Sequence, residues 1–191
     1  MRTSIVPNLI STVSLYYLTL DSELVFTGDE GDTEPSAASR RIGVEWAKYY
    51  QPWKWLTFDA DFAYTYARFI DDPAGDRIPN SIATVFASGV TVNAPFGAFG
   101  SLRARYFGPQ PLIEDDSAIG KSSLTFDARV GWKFRNVEVA LDILNLLNAK
   151  NNDIAYYYTS RLPGEPADGV DDYHIHPAEP REIRGTVTWR F

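Results

Sequence analysis

Two histidines stand two residues apart in an acidic, aromatic stretch, and they are the residues best suited to bind a metal. His174 and His176 alternate in Asp171-Asp172-Tyr173-His174-Ile175-His176. Alternate side chains of an extended segment share a face, and imidazole is a common metal ligand. The chain has no further histidine, and no third ligand stands at a fixed spacing. We therefore predict no metal site, with His174 and His176 as the only candidates, and a polar loop is the better explanation of the pair.

Two pairs of carboxylates could serve glycoside hydrolysis, which uses two carboxyl groups. Asp59 and Asp61 belong to a larger set of charges on predicted strands, whereas Asp115 and Asp116 lie in a polar loop. No Ser-His-Asp or Cys-His arrangement is evident, and the chain has no cysteine. We therefore expect no enzyme and no cofactor.

An aromatic cluster, Tyr156-Tyr157-Tyr158, lies close to Arg161 in a long polar connection. Such a loop could contact a ligand. A strand that extends beyond a membrane and packs on its neighbours would use the same residues, and this second interpretation fits the run better.

The composition indicates an all-β protein that binds no nucleic acid. Aromatic residues make up 14% of the chain, and no long segment carries apolar residues three and four apart. The net charge is −7, and no basic patch for phosphate contacts is present.

A two-residue period is the clearest structural signal. Leu56, Phe58, Ala60, Phe62, Tyr64 and Tyr66 alternate with polar or small residues, as do Ile183, Gly185, Val187, Trp189 and Phe191. Because strand side chains point alternately to opposite faces, each strand has one apolar and one polar face. The same alternation recurs in six further segments: Leu18–Phe26, Ile42–Tyr50, Ile82–Val92, Leu102–Tyr106, Leu124–Phe134 and Val137–Ile143.

The polar faces carry charges of both signs mixed with small residues, including Asp59, Arg103, Asp127, Arg129 and Asp142. This suits a water-filled lumen, with the apolar face turned to lipid. A soluble β-sandwich or lipocalin-like domain also alternates, so the period alone does not exclude that fold.

The connections alternate between long and short, which is typical of an outer-membrane barrel. The long ones are Thr27–Ser39, Ile70–Ser81, Phe107–Lys121 and Asn145–Arg181; the short ones are Gln51–Lys54, Asn93–Gly100 and Arg135–Asn136. We predict an antiparallel up-and-down transmembrane β-barrel segment of about eight strands, with long loops extracellular and short turns periplasmic. Segment 1–12 is expected to be irregular, and 13–191 to hold the strands.

Several runs resemble the distal barrel of TonB-dependent outer-membrane receptors. They are Arg40–Trp46, Trp55–Asp61, Arg77–Ser81, Leu102–Pro109, Leu141–Asn148 and Arg184–Phe191. The resemblance implies the C-terminal part of a 22-stranded barrel in the outer membrane. It also implies import of a scarce small molecule or metal chelate, such as a siderophore, cobalamin or an oligosaccharide, with TonB contacted through an N-terminal part of a parent receptor.

The first residues lack the apolar core and cleavage site of a signal peptide. We therefore expect either an internal start in a longer reading frame or a fragment. A self-contained eight-stranded barrel stays open as an alternative, because the strand number is even.

The last strand resembles the signal by which the barrel-assembly machinery recognises its clients. Val187, Trp189 and Phe191 share one face, and Phe191 is the final residue. A last lipid-facing strand that ends in an aromatic belt would have the same residues. Both roles are expected here, with membrane lipid and the assembly machinery as partners.

Overall fold

Antiparallel strands make up most of the residues described in the computed structural model. The structure describes residues 2–3, 6–27 and 32–191. Within this part, no helix is long and apolar enough to cross a membrane. The eight long strands are β1 (Leu9–Leu20), β2 (Ser39–Trp53), β3 (Leu56–Phe69), β4 (Thr84–Asn93), β5 (Ala98–Phe107), β6 (Ser123–Phe134), β7 (Val137–Leu144) and β8 (Glu182–Trp189).

The long strands form one sheet in which each pairs with its neighbours in sequence, from β1 to β8. A two-residue strand, Arg2–Thr3, adds to the free side of β1. In the described part of the chain β8 pairs only with β7, so the sheet is open. The up-and-down topology is confirmed, and a closed eight-stranded barrel is not what these strands form.

Three short hairpins extend the long connections. They are 24–27 with 32–35, 110–111 with 119–120, and Asn152–Ser160 with Val170–Pro177. The long connections span residues 21–38, 70–83, 108–122 and 145–181, and the turns span 54–55, 94–97 and 135–136. These lengths confirm the predicted alternation of long and short connections. Because neighbouring strands are antiparallel, all long connections lie at one end of the sheet and all turns at the other.

The two faces of the sheet differ in chemistry. On the apolar face, Ile42, Trp46, Phe58 and Val130 stay 42–56% exposed although they lie on inner strands. In the described part of the chain no second layer of protein covers them. The soluble sandwich is therefore wrong, because it would bury this face against another sheet.

The first strand lies in a different place from the one predicted. It begins at Leu9, inside the segment 1–12 expected to be irregular. Leu18 and Leu20 were expected on the apolar face, but Leu18 pairs with Arg41 on the polar face. The apolar face of β1 is formed by Val13, Leu15 and Tyr17 opposite Trp46, Val44 and Ile42. Both faces of this segment hold apolar residues, so cross-strand pairing decided its register.

Three glycines on the polar face let side chains cross a strand. Gly43 and Gly89 each stand between two partners on neighbouring strands, Gly131 lies under a single ring, and a Cβ at any of the three would collide with the side chain above it. Tyr16 of β1 covers Gly43 and hydrogen-bonds Thr65 of β3, Asp59 of β3 pairs with Arg103 of β5 across Gly89, and Phe99 of β5 covers Gly131.

Aromatic rings gather at the short-turn end of the sheet. Trp53 and Trp55 stack with 5.4 Å between ring centroids, and Phe96 packs on Trp132 at the same distance. Trp189 ends β8 at this level, paired with Val137. Amphipathic rings at one level suit a membrane interface.

The crossing of Tyr16 over Gly43 makes a direct prediction about stability. Gly43→Ala forces the Tyr16 ring away and breaks its bond to Thr65, so we expect a loss of about 1–3 kcal/mol in the free energy of unfolding. In a Tyr16→Ala background the same change should cost far less, giving a coupling of about 0.5–3 kcal/mol. Urea unfolding in detergent micelles, followed by tryptophan fluorescence, measures both. Equal costs in the two backgrounds would contradict the crossing.

Candidate functional site

Charged side chains on the polar face neutralise one another across strands. The ion pairs are Asp59–Arg103 (2.8 Å), Arg105–Asp127 (2.8 Å), Arg129–Asp142 (3.3 Å), Lys133–Glu138 (3.8 Å) and Arg190–Glu138 (3.4 Å). They are partly exposed, so each contributes at most about 1 kcal/mol. The pairs extend along the polar face, from Lys133 and Glu138 beside the turn 135–136 to Arg105 and Asp127 nearer the loop end.

The long connections pack on one another rather than projecting separately. Phe69 and Ile78 form one small core with Ala67, and Leu112 forms another with Ala118 and Ala155. Backbone bonds join the connections too: Arg77 N–H donates to the Glu114 carbonyl at 3.0 Å, and Asn80 N–H to the Pro111 carbonyl at 2.8 Å. The loop end of the sheet is thus a single packed assembly.

Two asparagines hold the two ends of the longest connection together. The side-chain amide of the buried Asn145 donates to the carbonyls of Ala149 (3.0 Å) and Glu179 (3.1 Å), and its oxygen accepts from the Ala149 N–H (2.8 Å). The Asn148 side chain accepts from the Arg181 N–H at 3.0 Å. Both asparagines have positive φ, which asparagine tolerates better than most residues. The 145–181 connection is therefore clamped at its base.

The hairpin 152–177 carries the tyrosine cluster and both histidines. His174 stacks on Tyr158 with 3.7 Å between ring centroids, and Tyr157 meets Tyr173 edge-on at 5.1 Å. His176 lies 4.0 Å from Asp153. The tyrosines thus belong to a strand of this hairpin, as the second interpretation predicted.

Three adjoining cavities lie at the loop end. The outermost, which we call the outer cavity, measures about 540 Å³, and all four long connections line it: Glu34 from the first, Asp72 from the second, Glu114 from the third, and Tyr156–Thr159 with Asp171 from the fourth. A second, of about 470 Å³, shares Asn80 and Tyr156 with it. A third, of about 510 Å³, reaches down to Arg105 and Asp127 on the polar face.

The carboxylate pairs considered for hydrolysis serve other purposes. Asp59 pairs with Arg103, and Asp116 pairs with Arg77 at 3.0 Å. Asp115 accepts a hydrogen bond from the Ser117 N–H, which lowers the pKa of its carboxyl group below the usual value. A group so easily ionised makes a poor general acid.

The metal candidates are not brought into a cluster. Within the described ranges no group of three or more His, Asp or Glu side chains is placed to hold an ion. His174 and His176 therefore stay candidates on one hairpin, His174 stacked on Tyr158 and partly buried, His176 exposed.

The residues of the expected assembly signal lie along the free strand. Val187 and Trp189 are 72% and 74% exposed on the apolar face of β8, and Phe191 follows the strand end. Nothing in the described chain packs on them beyond the β7 partners.

The sequence model of the family described as TonB-dependent receptor-like, β-barrel, matches residues 7–146, which is most of the chain. The chain belongs to this family. Solved structures agree in fold. The chain superposes on the ferric-catecholate import receptor Fiu of E. coli K12 with a TM-score of 0.74 at 18% identity, covering 100% of this chain and 26% of Fiu.

Two further structures are similar. The siderophore receptor PiuA of Acinetobacter baumannii gives a TM-score of 0.72 at 16% identity, over 95% of this chain and 26% of PiuA. The copper transporter OprC gives 0.70 at 19% identity, over 100% of this chain and 30% of OprC. The chain thus spans between a quarter and a third of these receptors. No curated protein sequence gives a match.

Sequence reasoning missed the outer cavity and the asparagine clamp. The cavity takes residues from four connections far apart in the chain, and no local pattern announces such a meeting. The run Leu141–Asn148 carried part of the family resemblance, but nothing in its residues indicated a clamp. Its role emerged only when Asn145 was seen to reach Glu179.

The clamp predicts how the longest connection responds to mutation. Asn145→Ala removes three side-chain hydrogen bonds from a buried position, so we expect a loss of about 1–3 kcal/mol and faster tryptic cleavage at Lys150 and Arg161. Asn145→Gly relieves the positive φ but still lacks the amide, so it should open the connection as well. Limited trypsin digestion compares the variants. Protection equal to that of the unchanged protein would contradict the clamp.

Proposed function

We propose that this chain forms the C-terminal barrel portion of an outer-membrane TonB-dependent receptor that imports a scarce nutrient, such as a siderophore or cobalamin. The observation that carries the proposal is the outer cavity, since one space of ligand size is lined by all four long connections. Binding sites are often formed by loops that a rigid scaffold holds in position.

Membership of the TonB-dependent receptor family supports the proposed outer-membrane placement and receptor role. Members of the TonB-dependent receptor family are outer-membrane β-barrels that act as receptors and transporters, not enzymes. The apolar face agrees, because its exposed aromatic and aliphatic side chains suit the hydrocarbon layer and the paired charges of the polar face suit a lumen. The apolar strand face would meet membrane lipid directly.

The names of the similar structures support a metal chelate as the ligand. They include a ferric-catecholate import receptor, a siderophore receptor and a copper transporter. Contact with TonB would be made by parts of the receptor outside this chain.

We place the long connections outside the cell and the short turns in the periplasm. This orientation puts the outer cavity where a ligand arrives. The aromatic rings at the turn end, including Trp53 and Trp132, would lie at the periplasmic interface.

The absence of cysteine makes the orientation easy to test. Ala167→Cys lies in the longest connection, and Asn136→Cys lies in a two-residue turn. In intact cells carrying the receptor, a membrane-impermeant maleimide should label the first variant and spare the second, whereas lysed cells should label both. The reverse pattern would overturn the orientation, and labelling of neither residue in a membrane fraction would overturn the outer-membrane placement.

We further propose that Val187, Trp189 and Phe191 form the signal read by the barrel-assembly machinery. Their exposure on the free strand is what supports this role.

His174 and His176 are retained as candidates for contact with the metal of an incoming chelate only. Their double replacement by alanine should reduce metal-chelate uptake if they contact the ligand.

The assembly signal gives its own prediction. Phe191→Ser should lower the amount of receptor in the outer membrane several-fold, since an apolar ring is lost from the recognised face, whereas Phe191→Tyr should assemble normally. Phe96→Ser, another exposed aromatic at the turn end, is the matched control. Immunoblots of membrane fractions measure the amounts. Equal loss in Phe191→Ser and Phe96→Ser would mean a general need for interfacial rings.

A further inference from the structure

Charge is unevenly divided between the two parts of this molecule. The four long connections, 21–38, 70–83, 108–122 and 145–181, hold 18 Asp and Glu against five Lys and Arg, a net charge of −13. The rest of the chain holds seven Asp and Glu against 13 Lys and Arg, a net charge of +6. The loop end therefore carries an anionic field that the whole-chain charge of −7 hides.

The outer cavity concentrates this asymmetry. Its wall includes the carboxylates of Glu34, Asp72, Glu114 and Asp171. No Lys, Arg or His side chain lines it. Across the described residues, no ion pair neutralises any of these four groups, whereas Asp59, Asp127 and Asp142 of the polar face are each paired with an arginine.

Tyrosines also belong to the wall. Tyr157 and Tyr158 are among the residues that line the outer cavity; Tyr157 packs on the small core around Leu112 and meets Tyr173, and Tyr158 stacks on His174. Neighbouring side chains of a strand point to opposite sides, so one of these two rings turns toward the space and the other away from it. A tyrosine ring beside carboxylates favours a positively charged group, because the ring quadrupole attracts cations.

The opposite charge would be disfavoured at the same place. An anionic chelate would approach four unpaired carboxylates with no cation to receive it, at a cost that rises as water is excluded. In the third cavity Arg105 and Arg184 are already paired with Asp127 and Glu182, which leaves Lys121 as its cation without an ion pair in the described chain.

We infer that the outer cavity selects a small ligand or metal chelate of net positive charge. This inference rests on the proposed receptor function and narrows it to a substrate class. The anionic field also raises the local concentration of cations at the loop end and thus the association rate.

The test uses three ferric chelates as probes and the detergent-purified receptor that contains this chain. One is a linear trihydroxamate complex with a free ammonium group (overall charge about +1), the second its N-acetylated form (about 0), and the third a tris-catecholate complex (about −3); the charges follow from counting ionised groups. Quenching of protein fluorescence gives each Kd. We expect the cationic probe to bind most tightly and the anionic probe least, with a preference that shrinks as salt is added.

Two matched double variants locate the effect. Glu34→Gln/Glu114→Gln removes two charges from the cavity wall and should weaken the cationic probe about tenfold while leaving the N-acetylated probe within about twofold. Asp21→Asn/Asp168→Asn removes two charges from exposed loop positions outside the cavity and should change little. An equal effect of both pairs would overturn the cavity as the selective element.

Failure of the inference can be told from failure of the proposed function. Tighter binding of the anionic probe, or no binding of the cationic one, in a receptor whose loops are labelled from outside the cell would overturn the charge selectivity alone. A receptor that is not labelled in the outer membrane would overturn the proposed function itself.

Discussion

Each strand of this sheet must satisfy two solvents at once, and the rest of the structure depends on that constraint. Backbone groups of the inner strands β2 to β7 pair with neighbours on both sides, as a hydrocarbon layer requires. Side chains then divide by parity: Trp46 and Phe58 face outward uncovered, while Asp59 and Asp127 face the opposite side and find partners there. A shift by one residue would exchange the two sets, and the charged residues would meet lipid.

Side chains of the polar face reach partners that lie two strands away. Gly89 lets Asp59 reach Arg103 two strands away, and Gly43 does the same for Tyr16 and Thr65. These glycines are not turns or flexible points. At each of them the missing side chain leaves room for a longer side chain from a neighbouring strand. Side chains can therefore join two strands that are not direct neighbours in the sheet.

At the loop end the physical question is no longer which side chains face lipid, but what keeps the long connections ordered. Long polar connections lose conformational entropy when they are ordered, and here the loss is offset by small cores such as that around Leu112 and by the clamp at Asn145. The result is an assembly with ligand-sized space between its connections. Its charge is opposite in sign to that of the sheet beneath it, so the molecule has a built-in electrostatic direction.

The sequence by itself determined the fold class, the apolar and polar faces of seven of the eight long strands and the alternation of long and short connections, because parity and turn chemistry are local properties of the chain. It did not determine the register of β1, where Leu18 and Tyr17 made both faces plausible and only pairing with Arg41 and Ile42 decided. Nor did it reveal the outer cavity. That site joins residues from Glu34 to Asp171, and only tertiary packing of the four connections brings their side chains to one space.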